Sequence, residues 1–470
     1  MADFPVTDSV PVRFSGAGTG CGPLTWGQKQ VFLEMRESGQ TLNMADAQPL
    51  PQPAPVGEVA AQFAEMISRH PSLRTRFPAH PEAGAEQAVS ESGELSLDVV
   101  NLPDSVSEDD AVNCVNDLWH SQLLTPFDHA RDWPIKMAVV TRHGLARYWV
   151  WTLNHPVADG LSMAILQGEL GYGVSAGRLA DPTAMGMLEL ARLERTPRLQ
   201  AVNDRSMRYW ESQLERVPPL TFGTPRYPGR QGERFWHGQF NSVAAYLAAI
   251  VIAQKTRTDT SRVLLTLMAI ALGRATGVCP LTVKFIVNNR YRPGYKEVMA
   301  PLSQSVPVTI DVSGASVEEA IARTRRAVTV GAMHGYFDPD RVTELIGELD
   351  ARRGYQAQLT CHINDPRVHV RVAAEEAVRS REITARDIEE ALDQTWFSWD
   401  GTVPGGFYTD QTFITIIERP ETMLLQLVFD TESISEAQAE GMTREFEQVA
   451  MRAAADPGML TDVMPGQAQY

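Results

Sequence analysis

The stretch from Tyr148 to Gly160, Tyr-Trp-Val-Trp-Thr-Leu-Asn-His-Pro-Val-Ala-Asp-Gly, joins three different kinds of local structure. Aromatic and β-branched residues dominate positions 148–153, which predicts a buried strand covered on both faces. Gly160 and the residues after it predict the start of a helix. His155 therefore lies between a strand and a helix, where α/β proteins commonly bind substrates. Its imidazole could act there as a base or as a hydrogen-bond acceptor near neutral pH.

Two neighbours of His155 are further candidates. Asp159 follows it by four residues and precedes a glycine turn. A carboxylate in such a place commonly accepts hydrogen bonds that fix the turn, so we expect Asp159 to be structural. The backbone amide of Gly160 is a candidate oxyanion donor. Because His-x-x-x-Asp-Gly is a short motif that also occurs by chance, its interpretation depends on other motifs in the chain.

Four further stretches accompany this motif in the same chain. They are Pro23-Leu-Thr25-Trp-Gly-Gln28-Lys-Gln-Val-Phe32, Arg69-His70-Pro-Ser-Leu73-Arg74-Thr75-Arg-Phe77, Thr125-Pro-Phe-Asp128 with Trp133-Pro-Ile135, and Asn289-Arg290 with Met299 to Val308. In order and approximate spacing, the chain resembles the condensation domains of non-ribosomal peptide synthetases, which are relatives of chloramphenicol acetyltransferase. The resemblance extends over about residues 23 to 456.

The resemblance implies an α/β fold of two chloramphenicol acetyltransferase-like lobes, which form a V-shaped pseudo-dimer with the active site between them. We expect residues 1–22 to be a flexible leader, residues 23–180 to form the N-terminal lobe that carries the histidine motif, and residues 181–470 to form the C-terminal lobe. Glycines around 171–177 and the Asp181-Pro182 pair mark the expected boundary. Periodicity predicts helices over 56–68 and 261–273, and strands over 283–287, 306–310 and 423–429.

The resemblance also implies a condensation enzyme of natural-product biosynthesis. An acyl thioester, held on the phosphopantetheine of a carrier protein, would react with an amine or hydroxyl acceptor to give an amide or an ester. His155 would orient or deprotonate the acceptor, and the enzyme itself would bind no cofactor and no metal. Asp159 would pair with Arg290, which is the best matching position, while Arg69 and Arg74 are second choices that more plausibly tie a helix end to a loop.

One departure from the family pattern concerns its central motif, His-His-x-x-x-Asp-Gly. Asn154 stands where the first His is expected. Because its amide can both donate and accept hydrogen bonds, we expect Asn154 to hold the backbone below His155. This departure and the weakened later motifs leave two alternatives open: a catalytically degenerate condensation fold that binds or recruits a partner, and an acyl-CoA-dependent small-molecule acyltransferase.

Composition excludes several other classes of protein. The chain has 42 basic and 58 acidic residues and a formal net charge of −16, which argues against a nucleic-acid partner. Four scattered cysteines without a Cys-x-x-Cys pair predict free thiols in a reducing compartment rather than disulfides or a zinc framework. The amino terminus lacks the pattern of a signal peptide, and no apolar run reaches membrane-spanning length. We therefore expect a cytoplasmic protein without a membrane partner.

Three other patterns have a plain structural interpretation. The glycine-rich run Gly16 to Gly22 imitates a phosphate loop but follows no strong strand, so it is expected to belong to the leader. Cys361 and His362 are metal-ligand types without a second paired cluster, and we expect a strand end there. Trp149 and Trp151 could stack on an aromatic substrate, but they share one face of the predicted strand and are expected to lie in the core.

Overall fold

The computed structural model describes residues 4–78, 86–171, 185–218, 222, 234–356, 359–365, 382–403, 410–419 and 422–466. By its internal contacts the chain divides into two compact units. The first consists of residues 1–201 and 288–303, and the second of residues 202–287 and 304–470. The expected boundary at residues 180 and 181 lies outside the described residues. The division differs from the expected lobes because residues 185–201 and 288–303 belong to the first unit rather than to the expected C-terminal lobe of residues 181–470.

The first unit combines helices with a five-stranded sheet of strand order β1-β6-β7-β8-β3 and a three-stranded sheet of order β2-β5-β4. Its elements are β1 (Asp8–Ser15), β2 (Gly20–Gly22), α1 (Trp26–Ser38), β3 (Met44–Ala54), α2 (Val56–Arg69), β4 (Thr75–Arg76), β5 (Gln87–Val89), β6 (Ser92–Asn101), α3 (Glu108–Leu124), β7 (Ile135–Arg142), β8 (Leu145–Leu153), α4 (Gly160–Glu169) and α5 (Met187–Glu194). Helix α6 (Pro197–Leu214) follows. The helix predicted over 56–68 is confirmed as α2.

The segment expected to be a flexible leader instead contains two strands. β1 pairs antiparallel with β6 along its whole length, and β2 pairs with β5. The reason is a short alternation that the sequence analysis did not use: Val12 and Phe14 point into the core while their neighbours are exposed. Phe14 packs edge-on against Trp133 with ring centroids 5.0 Å apart. The expectation of a leader over residues 1–22 is therefore corrected for residues 8–15 and 20–22.

The strand predicted from the deciding stretch is confirmed as β8, which lies between β7 and β3. Both neighbours pair with it in antiparallel register. Trp149 and Trp151 are 1% and 0% exposed, and Phe63 of α2 packs edge-on against Trp149. These tryptophans thus belong to the core, as expected, and β8 carries the chain directly to the histidine turn.

The second unit is built on a seven-stranded mixed sheet of order β11-β10-β12-β14-β15-β9-β13. Its elements are β9 (Phe235–Ser242), α7 (Val243–Thr256), α8 (Thr260–Thr276), β10 (Leu281–Val287), β11 (Gln304–Ile310), α9 (Val317–Met333), α10 (Pro339–Arg353), β12 (Cys361–Asn364), α11 (Ala385–Glu390), β13 (Trp396–Val403), β14 (Thr412–Arg419), β15 (Thr422–Asp430) and α12 (Glu436–Ala455). The predicted helix and three strands are confirmed as α8, β10, β11 and β15, and the α/β class is confirmed with them.

Helix α8 shows how local chemistry sets the ends of a core helix in this unit. Asp259 caps its amino terminus by accepting a hydrogen bond from the Arg262 amide at 3.1 Å. Gly277 ends it in the left-handed conformation with φ of 75°. Apolar residues between these caps pack in the largest hydrophobic cluster of the unit. Across the described part of the chain, no helix combines the length and the apolar character needed to cross a bilayer.

Candidate active site

The histidine turn begins where β8 ends. Asn154 precedes a short 3₁₀ turn of His155–Val157, and Asp159 then caps the amino terminus of α4. Pro156 suits the start of the 3₁₀ turn because its missing N–H would have no partner there. Asn154 and Asp159 are buried, whereas His155 is only half-buried. The turn therefore exposes one titratable side chain and encloses the residues on either side.

The imidazole of His155 is hydrogen-bonded to the backbone of its own turn. Its Nδ1 lies 2.9 Å from the carbonyl oxygen of Ala158. A carbonyl oxygen can only accept, so Nδ1 carries a hydrogen, and in the neutral form of the ring Nε2 is the unprotonated nitrogen. This arrangement leaves Nε2 able to accept a hydrogen bond or a proton from a bound acceptor.

The carboxylate of Asp159 is surrounded by hydrogen-bond donors. Its Oδ1 accepts from the Ser162 amide and hydroxyl, both at 2.9 Å, and from Arg290 Nη2 at 2.6 Å. Its Oδ2 accepts from the amides of Leu302 and Ser303 at 3.1 and 3.2 Å and from the Ser303 hydroxyl at 3.0 Å. Asp159 is 1% exposed, so these contacts occupy both oxygens and leave the carboxylate turned into the protein.

Arg290 and Asp159 form the ion pair that the sequence led us to expect, with both side chains buried. Arg290 also donates from Nη1 to the carbonyl oxygen of Val298 at 2.6 Å. All of these residues belong to the first unit. Arg290 was expected to lie in the C-terminal lobe of residues 181–470, and that placement is corrected because segment 288–303 groups with the unit that carries the turn.

The charge on Asp159 is stabilised despite its burial. Burial by itself raises the pKa of this carboxyl group, but the Arg290 guanidinium and the hydrogen bonds from Ser162 act in the opposite direction and lower the pKa overall. Asp159 is accordingly ionised at neutral pH. A buried, ionised and fully hydrogen-bonded carboxylate suits a structural role better than proton transfer.

Asn154 lies against a residue that the sequence analysis did not single out. Its side-chain Nδ2 is 2.7 Å from Nδ1 of His129, which follows the Pro-Phe-Asp segment of residues 126–128. The ring of His129 contacts Phe32 and Phe77 edge-on, at centroid distances of 5.3 and 6.3 Å. The aromatic ends of the first two motifs thus meet at His129. No local pattern in the sequence marks this position.

The residues of the first motif, Pro23 to Phe32, make structural contacts within the first unit. Thr25 and Gln28 form a reciprocal capping box at the start of α1. Gly27 packs so closely on the segment 288–303 that a Cβ atom added there would lie 1.6 Å from the carbonyl oxygen of Pro301. The motif therefore supports the loop that supplies Arg290 and the donors to Asp159.

The second motif, Arg69 to Phe77, also makes structural contacts. Arg74 is 0% exposed and donates to the carbonyl oxygens of Gly16, Ala17 and Ser90. Burial lowers the pKa of its guanidinium. Arg69 pairs with Glu65 one helical turn away at 2.7 Å. Arg74 therefore holds neighbouring backbone segments of the first unit together, as expected, whereas Arg69 pairs within its own helix and lies 3.8 Å from Glu169 of α4.

Gly160 is exposed and begins α4. A Cβ atom built there meets no heavy atom within 4 Å, so there is open space beside this residue. The first amides of a helix have no partner within the helix and can donate to a ligand. Its role as an oxyanion donor stays a prediction.

In the second unit, Cys361 and His362 lie on the short strand β12, as expected. His362 Nδ1 is 3.5 Å from Asp410, whose other oxygen pairs with Lys284 Nζ at 2.6 Å. Burial raises the pKa of Cys361 to about 12, so its thiol is protonated at neutral pH. Among the described residues, no group of three or more His, Cys, Asp or Glu side chains is arranged to hold a metal ion.

Comparison with known proteins gives a consistent picture. A family model described as "Condensation domain" matches residues 23–357. The hybrid PKS-NRPS synthetase LUC5 of Fusarium sp is 28% identical over 203 residues, which is 42% of this chain and 5% of that protein. A linear gramicidin synthase of Brevibacillus parabrevis is 22% identical over 456 residues, or 94% of this chain and 9% of that protein. The chain thus spans only a small part of these relatives.

Solved structures share the fold at low sequence identity. The X-domain from teicoplanin biosynthesis has a TM-score of 0.68 at 18% identity, with 96% of this chain and 99% of that chain covered. The structure described as a complex of the X-domain and OxyB has a TM-score of 0.65 at 17% identity, with 96% of this chain and 97% of that chain covered. A condensation domain described as mediating chain release from the enacyloxin polyketide synthase gives 0.68 at 15% identity, covering 96% and 86%.

Proposed function

Because this chain belongs to the condensation-domain family, we propose that it joins a carrier-protein-bound acyl thioester to an amine or hydroxyl acceptor, in non-ribosomal peptide or related natural-product biosynthesis. The family membership rests on a match to 335 of 470 residues, since the match runs from 23 to 357. The acyl group would arrive on the phosphopantetheine arm of a carrier protein, which is substrate here and not a cofactor of the enzyme.

The observation that supports catalysis best is the state of His155. Its Nδ1–H donates to the carbonyl of Ala158, and the half-buried ring offers Nε2 as an acceptor. In the proposed reaction, the acceptor's nitrogen or oxygen forms a bond to the thioester carbonyl carbon while Nε2 takes its proton. The C–S bond then breaks, and the proton passes to the departing thiolate, which leaves as a thiol. The electrons and the proton balance without a metal or an oxidant.

General-base assistance of this kind contributes on the order of 10²- to 10⁴-fold in rate. Holding the two reactants in register can contribute more, up to effective molarities of about 10⁵ to 10⁸ M. Gly160 is exposed at the first position of α4, and its backbone amide would stabilise the oxyanion in this proposal. Asp159, Arg290 and Asn154 would hold the turn and take no direct part in the chemistry.

The experiment supplies one acyl group in two forms, as a thioester on a phosphopantetheinylated carrier protein and as acyl-CoA. Each is mixed with the protein and a panel of free or carrier-bound amines and alcohols, and products are identified by mass. We expect product from the carrier-bound donor and not from acyl-CoA. The enacyloxin domain is described as mediating chain release, which supports including free acceptors. His155→Ala is the control, and equal product formation by that variant would contradict the proposed role of His155.

A second function is favoured by one substitution and one comparison. Asn154 replaces the first His of the motif, and a fold neighbour, the X-domain, has been solved in complex with the partner OxyB. The protein would then bind a carrier protein or a partner enzyme without joining substrates. Tight binding of a loaded carrier, with the thioester intact after incubation with every acceptor, would favour this function over condensation.

A further inference from the structure

The contacts around His129 bring together four stretches of the first unit. Its side-chain Nδ1 faces Asn154 Nδ2 at 2.7 Å, and its carbonyl oxygen accepts from the Phe77 amide at 2.8 Å. The ring meets Phe32 of α1 and Phe77 edge-on. His129 itself is half-buried. It therefore touches the end of the first motif, the end of the second motif and the residue directly before His155.

The partner of His129 is well placed to control the histidine turn. Asn154 is 2% exposed, and its backbone amide donates to the carbonyl oxygen of Pro134 at 2.9 Å. Its own carbonyl oxygen accepts from the Val157 amide at 3.1 Å, which closes the 3₁₀ turn that carries His155. A change in the side-chain contacts of Asn154 would consequently shift the backbone of the 3₁₀ turn that carries His155.

We propose that His129 is a positioning residue for His155, which supplies through the Asn154 amide the imidazole that the motif lacks at position 154. This inference rests on the proposed function. His129 accepts a hydrogen bond from Asn154 and thereby fixes the turn, while its edge contacts with Phe32 and Phe77 fix the ring. His129 thus places an imidazole beside position 154, where the family motif has a histidine and this chain has Asn154.

The direction of the hydrogen bond requires a neutral His129. Burial lowers the pKa of His129, and the nearby charges of Asp128 and Asp132 oppose this effect only in part. The rings of Phe32 and Phe77 add no charge to its surroundings. The neutral ring can accept at Nδ1 from the amide of Asn154. The Oδ1 atom of Asn154 is buried and makes no hydrogen bond within the described residues, so the amide depends on His129 for its side-chain contact.

Two variants of His129 separate the hydrogen bond from the ring. In His129→Asn, the amide oxygen replaces Nδ1 as an acceptor but the ring is lost; in His129→Phe, the ring is kept without an acceptor. Leaving a buried amide unpaired is costly enough to alter the turn. In the condensation assay we expect His129→Phe to lower kcat about tenfold with KM changed less than about twofold, and His129→Asn to recover most of the loss, because about 1.4 kcal/mol corresponds to a factor of ten.

The matched control is His120→Phe, which makes the same replacement at an exposed position of α3 and should leave kcat unchanged. Asn154→Ala combined with His129→Phe should be no worse than the poorer single variant, since both remove one interaction. Equal loss in His129→Asn and His129→Phe, or additive losses in the double variant, would overturn the proposal.

A second measurement does not depend on activity. Nitrogen NMR of histidine-labelled protein reports the tautomer of each ring, and we expect His129 to carry its hydrogen on Nε2 and His155 on Nδ1. In Asn154→Ala the Nδ1 signal of His129 should shift, and in His129→Phe the single tautomer of His155 should become mixed. An unchanged His155 signal in His129→Phe contradicts this inference alone, whereas full activity of His155→Ala contradicts the proposed function and leaves the NMR result standing.

Discussion

Asp159 and His155 lie four residues apart in one turn, yet their surroundings are opposite. Asp159 is buried, with both carboxylate oxygens bonded to amides, hydroxyls and Arg290. His155 is half-buried, and among the described residues its side chain makes one hydrogen bond, to the carbonyl oxygen of Ala158. The side chains of the two motif residues therefore differ in which atoms are already hydrogen-bonded within the protein. The aspartate joins the turn to segment 288–303, whereas Nε2 of the histidine makes no hydrogen bond among the described residues.

In the proposed reaction only the histidine would face a substrate, and the difference in surroundings supports that proposal. A buried ionised group is stable only when its hydrogen-bonding capacity is filled. A general base needs the opposite, because an unoccupied lone pair must face the substrate.

Removing the Asp159 carboxylate should have the largest effect. Asp159→Ala leaves Arg290 buried without its partner, and we expect the free energy of unfolding to fall by about 3 to 5 kcal/mol, with activity lost as well. Denaturant unfolding of the purified variant measures this. Asp159→Asn keeps the shape of the side chain and part of the helix cap, so its free energy of unfolding should lie between those of Asp159→Ala and the wild type. A variant that keeps wild-type stability would show that the ion pair does not hold the turn.

The contribution of this ion pair should also depend on pH. Because the pKa of Asp159 is lowered in the folded protein, its stabilising effect is present above the pKa of an unfolded aspartate, about 3.9, and is lost as the pH falls through the folded pKa. The stability difference between wild type and Asp159→Asn should therefore be constant from pH 7 to about 5 and narrow below about 4. If the difference in the free energy of unfolding between the two proteins instead widened on acidification, that result would contradict a lowered pKa of Asp159 in the folded protein.

Removing the imidazole should affect rate without affecting stability. His155→Ala is expected to lower turnover by about a hundredfold or more, because Nε2 is the proposed base. Because the half-buried ring makes one hydrogen bond among the described residues, the melting temperature should change by no more than about 2 °C. If His155→Ala turned over substrate at nearly the wild-type rate, with the product verified by mass, the proposed role of His155 as a base would be contradicted.

The support beneath Arg290 should be sensitive to a single methyl group. Gly27→Ala places a Cβ atom 1.6 Å from the carbonyl oxygen of Pro301, so the backbone must shift. We expect a loss of about 1 to 3 kcal/mol of stability, as for other overpacked sites. Gly57→Ala in α2, where an added Cβ atom meets nothing within 4 Å, is the matched control. Equal stability of the two variants would show that segment 288–303 adapts freely.

The smallest effect is expected at Gly160. An added Cβ atom meets no neighbour there and the backbone amide is retained, so Gly160→Ala should change stability by less than about 1 kcal/mol. If the amide alone stabilises the oxyanion, kcat should stay within about threefold of wild type. A large loss of kcat with unchanged stability would show instead that the space beside Gly160 is occupied by substrate.

Much of the fold followed from local pattern. Alternating and continuous apolar runs predicted β8, β10, β11 and β15, and a helical period predicted α2 and α8. These predictions succeeded because burial on one face, or on both, leaves a period in the sequence. β1 was missed because its inward positions are few and Pro11 stands beside them. Only its pairing with β6 makes this segment a strand.

The sequence by itself determined the family, the histidine turn and the ion pair of Asp159 with Arg290, which the resemblance supplied. Only the tertiary structure decided that residues 288–303 group with the first unit and that the amides of Leu302 and Ser303 complete the aspartate's shell. It also placed His129 against Asn154 across 25 positions of sequence. The physical reason is that periodicity records which face of an element is buried, whereas the partner that covers it depends on long-range packing and leaves no local trace.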